Sequence, residues 1–259
     1  MSTILLLGDI TGRSRVAVRM MTAALEAQGN EVLALPTALI SNTLNLGAHQ
    51  ALDTTDYLLR SLETWERLGI AYDGVCIGYI TGTAQAGALC AIADGARKRG
   101  AWVLVDPILG DNGRMYRSVT EDQAEGMRLL CAHADLVTPN LTEACLLAGV
   151  PYEAALCGGQ ALWEAVDSLS AGGRSVLITS ARTEDGRDAV VGFDARRETR
   201  VIVPFERAGG QHGGTGDLFC ALLADALGRG QTLERAAREA SRRVGAQLRG
   251  EEASLLPQL

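Results

Sequence analysis

Lysine is almost missing from this chain: of 24 basic residues only Lys98 is one. It stands in the polar stretch 94–100, which reads as a solvated helix end. A P-loop NTPase closes its phosphate loop with a lysine, and a Schiff-base enzyme carries its cofactor on one. Lys98 suits neither. The three histidines, His49, His133 and His212, have no metal-ligand spacing, and without a G-x-S-x-G elbow they build no triad. His212, beside a glycine turn, could touch phosphate, although an exposed loop position is the simpler account. The six cysteines fall singly in apolar segments, which excludes a disulfide framework and a zinc site and fits a reducing cytoplasm. No basic stripe with interleaved aromatics exists, and the net charge of -7 comes from dispersed acids, so nucleic acid is not an expected partner. The apolar run 1–7 lacks a basic leader and is too short for a membrane span, so no membrane is expected either.

What is present is apolar and regular. With 47% hydrophobic residues in 259, the chain can bury a large core, and no linker or repeat divides it, so a single domain over 1–259 is expected. Strand-length apolar runs alternate with helix-patterned stretches. Strands are expected at Thr3–Gly8, Glu31–Leu35, Gly74–Ile77, Trp102–Val105, Leu136–Thr138 and Ser175–Thr179. Helices are expected at Arg15–Gln28, Tyr57–Leu68, Gln85–Arg99 and Gln123–Ala132. This repetition predicts an α/β fold with a mostly parallel sheet. Between Ala189 and Val203 two β-rich runs predict an appended antiparallel hairpin, and helices near Asp217–Leu227 and Leu233–Leu248 close the chain. In such sheets ligands bind beyond the carboxyl ends of the strands.

Three stretches carry chemistry, and a fourth is a candidate. Gly213-Gly214-Thr215-Gly216-Asp217 opens directly into the apolar run Leu218–Leu223. Glycines let backbone approach an anion, and a helix start adds partial positive charge, so the turn makes an anion hole for a transferring phosphoryl group. Asp217 in the first turn would be kept ionised by the same dipole, ready to accept a hydroxyl proton; a capped helix after a flexible loop is the blander account. Asp106-Pro107 through Asp111 and Gly113 follows a buried strand with two acids, which suits Mg²⁺ held by few protein ligands, or ordinary turn chemistry. Thr138-Pro139-Asn140 with Glu143 has capping-box spacing, and the glutamate could also orient a metal-bound water. Thr179-Ser180 would put hydroxyls near a nucleotide, unless they only bond backbone. Cys220 reads as a small core residue.

In their order these motifs resemble the pyridoxal kinase branch of the ribokinase-like superfamily, over residues 3 to about 248. The resemblance implies the three-layer α/β/α ribokinase-like fold and transfer of the γ-phosphoryl of ATP onto the 5′-hydroxymethyl group of pyridoxal, pyridoxine or pyridoxamine, by a cytoplasmic homodimer. It implies Asp217 as base, with Gly214 and Gly216 in the anion hole. Asp106, Asp111, Thr138 and Glu143 would surround Mg²⁺ and a monovalent cation (K⁺ or Na⁺), with Tyr116 nearby. Gly213, Thr215, Asn140, Thr179 and Ser180, with Asp106, would lie along ATP. Ser41, Asn42 and Tyr79 would meet the substrate.

The departures fall where the ring should bind. Gly8-Asp9-Ile10-Thr11 stands where the family often has Ser-His-Val, and Ser41-Asn42-Thr43-Leu44 where it often has Ser-Asn-His-Thr. Asp9 would bring a carboxylate to the ring, favouring a protonated ring nitrogen or the amine of pyridoxamine, and Leu44 removes a hydroxyl. A kinase for hydroxymethylpyrimidine, a sugar or a nucleoside is the neighbouring alternative; a non-catalytic binding protein of the same fold is the remote one. The stretch 42–53 could fold over the substrate and exclude water.

Overall fold

The computed structural model describes residues 1–46, 48–207 and 213–252. The chain begins with β1 (Thr3–Thr11), α1 (Val18–Glu26), β2 (Glu31–Ile40), β3 (Ala51–Asp53) and α2 (Thr55–Arg67). It continues with β4 (Gly74–Ile77), α3 (Thr83–Lys98), β5 (Trp102–Val105), β6 (Gly110–Asp111), β7 (Arg114–Met115) and α4 (Glu121–Cys131). Next come β8 (Leu136–Val137), α5 (Leu141–Ala148), α6 (Tyr152–Leu156), α7 (Gln160–Ser170) and β9 (Ser175–Arg182). The last elements are β10 (Asp188–Asp194), β11 (Thr199–Pro204), α8 (Thr215–Gly228) and α9 (Leu233–Leu248).

The sheet runs β11-β10-β9-β8-β5-β4-β1-β2-β3. Strands β9 to β2 of that order pair in parallel, and antiparallel strands finish both edges: β3 beside β2, and the β10–β11 hairpin beside β9. The hairpin expected at 189–203 is therefore present. β1 shows why the layers number three. Leu5 and Leu7 enter the core under α2 to α5 and α7, while Ile4 and Leu6 enter the core under α1, α8 and α9. A strand buried on both faces has to be apolar without alternation, and 4–7 are.

Several expectations need correction. β1 runs three residues past Gly8, because Asp9, Ile10 and Thr11 keep pairing with Ala38, Leu39 and Ile40 of an equally extended β2. Asp9 thus lies within the strand, at a register irregularity between Gly8 and Asp9. Thr179 and Ser180 likewise lie inside β9, which pairing with β10 prolongs to Arg182. α4 starts at Glu121, set by a capping box between Thr120 and Gln123 that was legible as T-x-x-Q. α1 is shorter at both ends than 15–28, since residues 12–17 form a loop. α6, α7 and the short strands β3, β6 and β7 were not foreseen; a strand of two or three residues has too little pattern to announce itself. The stretch 42–53 holds a 3₁₀ turn at Leu44–Leu46 and β3, with Gly47 outside the described residues. No helix among the described residues is long and apolar enough to cross a membrane.

Candidate active site

Acids from three distant segments gather at the carboxyl end of the parallel strands. Asp9 comes from the end of β1, Asp106 directly follows β5, and Asp217 sits in the first turn of α8. The register of β1 against β2 shifts between Gly8 and Asp9, next to this group of acids. Asp9 is only 7% exposed. Burial, then the charge of Asp217, push its carboxyl up to about 7. Burial and the same charge push Asp106 up to about 7, against hydrogen bonds from Cys220 and Thr138.

Asp217 is raised by burial alone, and a backbone amide opposes the rise. That amide belongs to Ala17, whose N–H donates to Oδ2 at 2.8 Å. Like charges in one site cannot all be held at neutral pH. A hydrogen bond opposes the rise at each acid: from its own backbone at Asp9, from Cys220 and Thr138 at Asp106, and from the Ala17 amide at Asp217.

Around this trio the polar shell is specific. The Thr138 hydroxyl lies 3.5 Å from Asp106 Oδ1 and 3.3 Å from Cys220 Sγ, which ties the end of β8 to α8. Buried Glu143 accepts from the amides of Leu109 (3.1 Å) and Asn140 (2.8 Å). Burial and the charge of Asp106 still raise it well above its ordinary value. The Tyr116 hydroxyl is raised by burial and then by Glu143, Asp111, Asp106 and Asp217, so it stands among all four carboxylates. Tyr79, 4% exposed, accepts at its hydroxyl from Gln123 Nε2 at 2.9 Å, and the charge of Asp9 acts on it. In the sequence Gln123 reads only as a helix start, and the structure places its side-chain amide against Tyr79 and the Ile80 carbonyl.

Other expected residues are engaged with backbone. Asn140 caps α5, accepting from the Glu143 amide at 3.0 Å, and its side-chain amide donates to Gly110 O at 2.8 Å. Ser180 Oγ accepts from the Leu141 amide at 3.4 Å, and the Thr179 amide donates to Pro139 O at 2.9 Å. Both oxygens of exposed Asp111 accept from Asn112. Ser41 and Asn42 bond each other at 2.7 Å, Asn42 also donates to Ala48 O, and Ser41 accepts from the Gln50 amide. Beside them lies an apolar depression of about 420 Å³ between the ends of β1, β2 and β3. Gly213, Gly214, Thr215 and Gly216 form the turn and helix start, and Gly214 at φ +84° takes the left-handed conformation natural to glycine. His212 lies outside the described residues. A larger depression, about 640 Å³, lies at the opposite end of the sheet among Arg97, Lys98, Asp135 and Arg196. Its charges finish helix α3 and pair with each other, so volume does not mark the chemistry here.

The donor set fits a hard cation held through few protein atoms. Three carboxyls, Asp9, Asp106 and Glu143, are driven upward by burial and by each other or Asp217, and a divalent ion would relieve that. Among the described residues no three His, Cys, Asp or Glu side chains converge into a metal cage.

A family model described as phosphomethylpyrimidine kinase matches residues 23–255. The chain belongs to the phosphomethylpyrimidine kinase family. Within it, a pyridoxine/pyridoxal/pyridoxamine kinase of Bordetella avium is 33% identical over 238 residues, 85% of this chain and 75% of that protein. A Bacteroides thetaiotaomicron structure solved with pyridoxal superposes with a TM-score of 0.86 at 29% identity, covering 97% of this chain and 89% of that one. The pyridoxal kinase of Lactobacillus plantarum gives 0.82 at 26%, covering 97% and 89%. The fold is ribokinase-like, and the chain is a small-molecule kinase.

Proposed function

We propose that the chain phosphorylates the 5′-hydroxymethyl group of a vitamin B6 vitamer with ATP as donor, and that Asp217 is the general base. One observation carries the role of Asp217: at a glycine-lined helix start its carboxylate accepts a backbone N–H on one oxygen, which leaves the other for a hydroxyl proton. The names of the Bordetella and Lactobacillus relatives, and pyridoxal with the Bacteroides protein, support the substrate class.

In this account Asp217 accepts the proton of the hydroxymethyl oxygen as that oxygen attacks the γ-phosphorus, and the bond from the γ-phosphorus to the bridging oxygen breaks with ADP as the leaving group. The turn amides of Gly214 and Gly216 face the charge shifting over the phosphoryl oxygens. Tyr79, fixed by Gln123, forms one wall of the ring site, and Asp9 lies on its polar side. Asp106, Asp111, Thr138 and Glu143 would hold Mg²⁺ and a monovalent cation. Bound magnesium supplies charge neutralisation on the donor's phosphates. Gly213, Thr215, Asn140, Thr179 and Ser180 would line the nucleotide, the last three through backbone they already brace. Ser41 and Asn42 shape the loop over the ring by bonding within it.

A second reading has its own support. The family model is described for phosphomethylpyrimidine, and a carboxyl such as Asp9 pairs well with a ring nitrogen flanked by an amine, as in an aminopyrimidine. Turnover of pyridoxal, pyridoxine, pyridoxamine and hydroxymethylpyrimidine, followed by ADP release, separates the two. The B6 assignment fails if only the pyrimidine is phosphorylated, and the base assignment fails if Asp217→Asn keeps full turnover on the best substrate.

A further inference from the structure

Between β1 and α1 the backbone takes two conformations that side-chain-bearing residues rarely adopt: Ser14 at φ +83° and Ala17 at φ +51°, ψ -133°. Neither is glycine, although Gly12 stands in the same loop. Such strain persists only where the surroundings over-determine the backbone, and here they do. Arg19 donates to the carbonyls of Thr11 (3.4 Å) and Ser14 (3.3 Å), and the Thr11 hydroxyl donates to Ser14 O at 3.2 Å. Gly12 donates to Ile40 O at 2.7 Å and lies against Ser41, where a Cβ would come within 3.0 Å of a carbonyl oxygen. On the far side Val16 and Met20 pack against Gly214, each about 3.5 Å from where its Cβ would be.

The strained residue aims its N–H at Asp217 Oδ2, 2.8 Å away and 200 positions along the chain. Ala17 is also the N-cap of α1, so the positive end of that helix points the same way. We infer that Ala17 is a positioning residue for phosphoryl transfer: its backbone N–H, held in a strained conformation by the β1–α1 loop, orients the Asp217 carboxylate so that Oδ2 is occupied and Oδ1 is the oxygen that takes the proton. Asp9 and Ala17 bracket this one loop, so the segment that meets the ring also sets the base. The inference rests on Asp217 being the base.

Its decisive test removes the donor and nothing else. Ala17→lactic acid, introduced by nonsense suppression, replaces the amide by an ester that keeps the methyl group and loses the N–H. A hydrogen bond to a charged group of this kind is worth about ten- to hundredfold in rate when its acceptor is the reacting carboxylate. The expected result is a kcat lowered by that factor, with the KM for the substrate and for ATP changed less than about threefold. Ala17→Gly keeps the donor and relieves the strained φ, and should retain kcat within about threefold. A native kcat in the ester protein overturns the inference, as does an equal loss in the glycine variant, which would assign the effect to loop structure. Should the ester protein fail to fold, the wild-type chain labelled with ¹⁵N-alanine still decides: the Ala17 amide proton should lose its downfield shift and slow exchange in Asp217→Ala, and an unchanged signal overturns the inference. Wild-type activity on B6 vitamers, measured alongside, tests the substrate assignment separately.

Discussion

The two ends of the parallel sheet treat their acids in opposite ways. At the amino ends Asp135 meets Arg97 at 3.0 Å and also accepts from the Val103 amide, and Asp94 meets His133 at 2.9 Å, a hydrogen bond that holds its carboxyl below the ordinary range. At the carboxyl ends Asp9 and Glu143 are buried and Asp106 is half-buried, none has an ion-pair partner among the described residues, and all three carboxyls rise. A fold that only needed stability would use the first arrangement throughout, since an unpaired buried carboxylate costs free energy. The second arrangement makes sense as a receptacle for cations and for a hydroxyl proton. The same chain thus keeps its paired acids and its unpaired acids at opposite ends of the parallel sheet.

Four substitutions would break or sharpen that contrast, in order of expected effect. Asp217→Asn should lower kcat by about 10² to 10⁴, the usual contribution of a general base, with the far-ultraviolet spectrum and melting temperature nearly unchanged. If stability collapsed instead, Asp217 would belong with the structural acids.

Asp9→Asn should reveal the cost of a working acid as a function of pH. The folded carboxyl titrates at about 7 against an ordinary 3.8. Below about pH 4 it is protonated folded and unfolded, and the substitution should be neutral. Between those values the unfolded chain has released the proton while the folded chain retains it, so wild-type stability falls as pH rises. Above 7 the loss is complete, at ~4 kcal/mol as an upper figure. Urea midpoints at pH 4, 6 and 8 should therefore show the asparagine variant gaining on the wild type with pH; a constant difference would mean that Asp9 is not buried as a lone acid.

Asn140→Ala removes the cap of α5 and should cost about 1 kcal/mol, read by denaturant midpoint, with a rise in the KM for ATP if α5 lines the nucleotide. Arg97→Ala at the other end breaks an ion pair whose members are 46% and 29% exposed, and should cost under ~1 kcal/mol, less at high salt. A larger loss there would remove the distinction between the two ends.

Local physics made much of this legible beforehand. The buried strands 74–77 and 102–105 have the expected ends, because a short apolar run bounded by polar turns has few other options. The glycine turn opening into an apolar helix and the Asn140–Glu143 box are contained within five residues each, and both are present. Less legible were the lengths of β1, β2 and β9, which depend on partners that prolong them. The hydroxyls of Ser41, Thr138 and Ser180 were equally ambiguous, since a sequence does not say which backbone group will occupy them. Gln123 and Ala17 were hidden for different reasons. The first reads in the sequence only as the start of a helix, and the second contributes only its amide, which every residue but proline has.

By itself the sequence determined the alternation of strand and helix, the antiparallel hairpin, and the glycine turn that opens into an apolar helix. Each follows from spacing over a few residues. Only the tertiary structure decided that positions 9, 17, 106 and 217 meet, that Asp9 is buried enough to hold its proton near neutrality, and which oxygen of Asp217 is taken. Those outcomes hang on strand order and on a β1–α1 loop held in a strained conformation by local bonds together with contacts from β2 and the glycine turn.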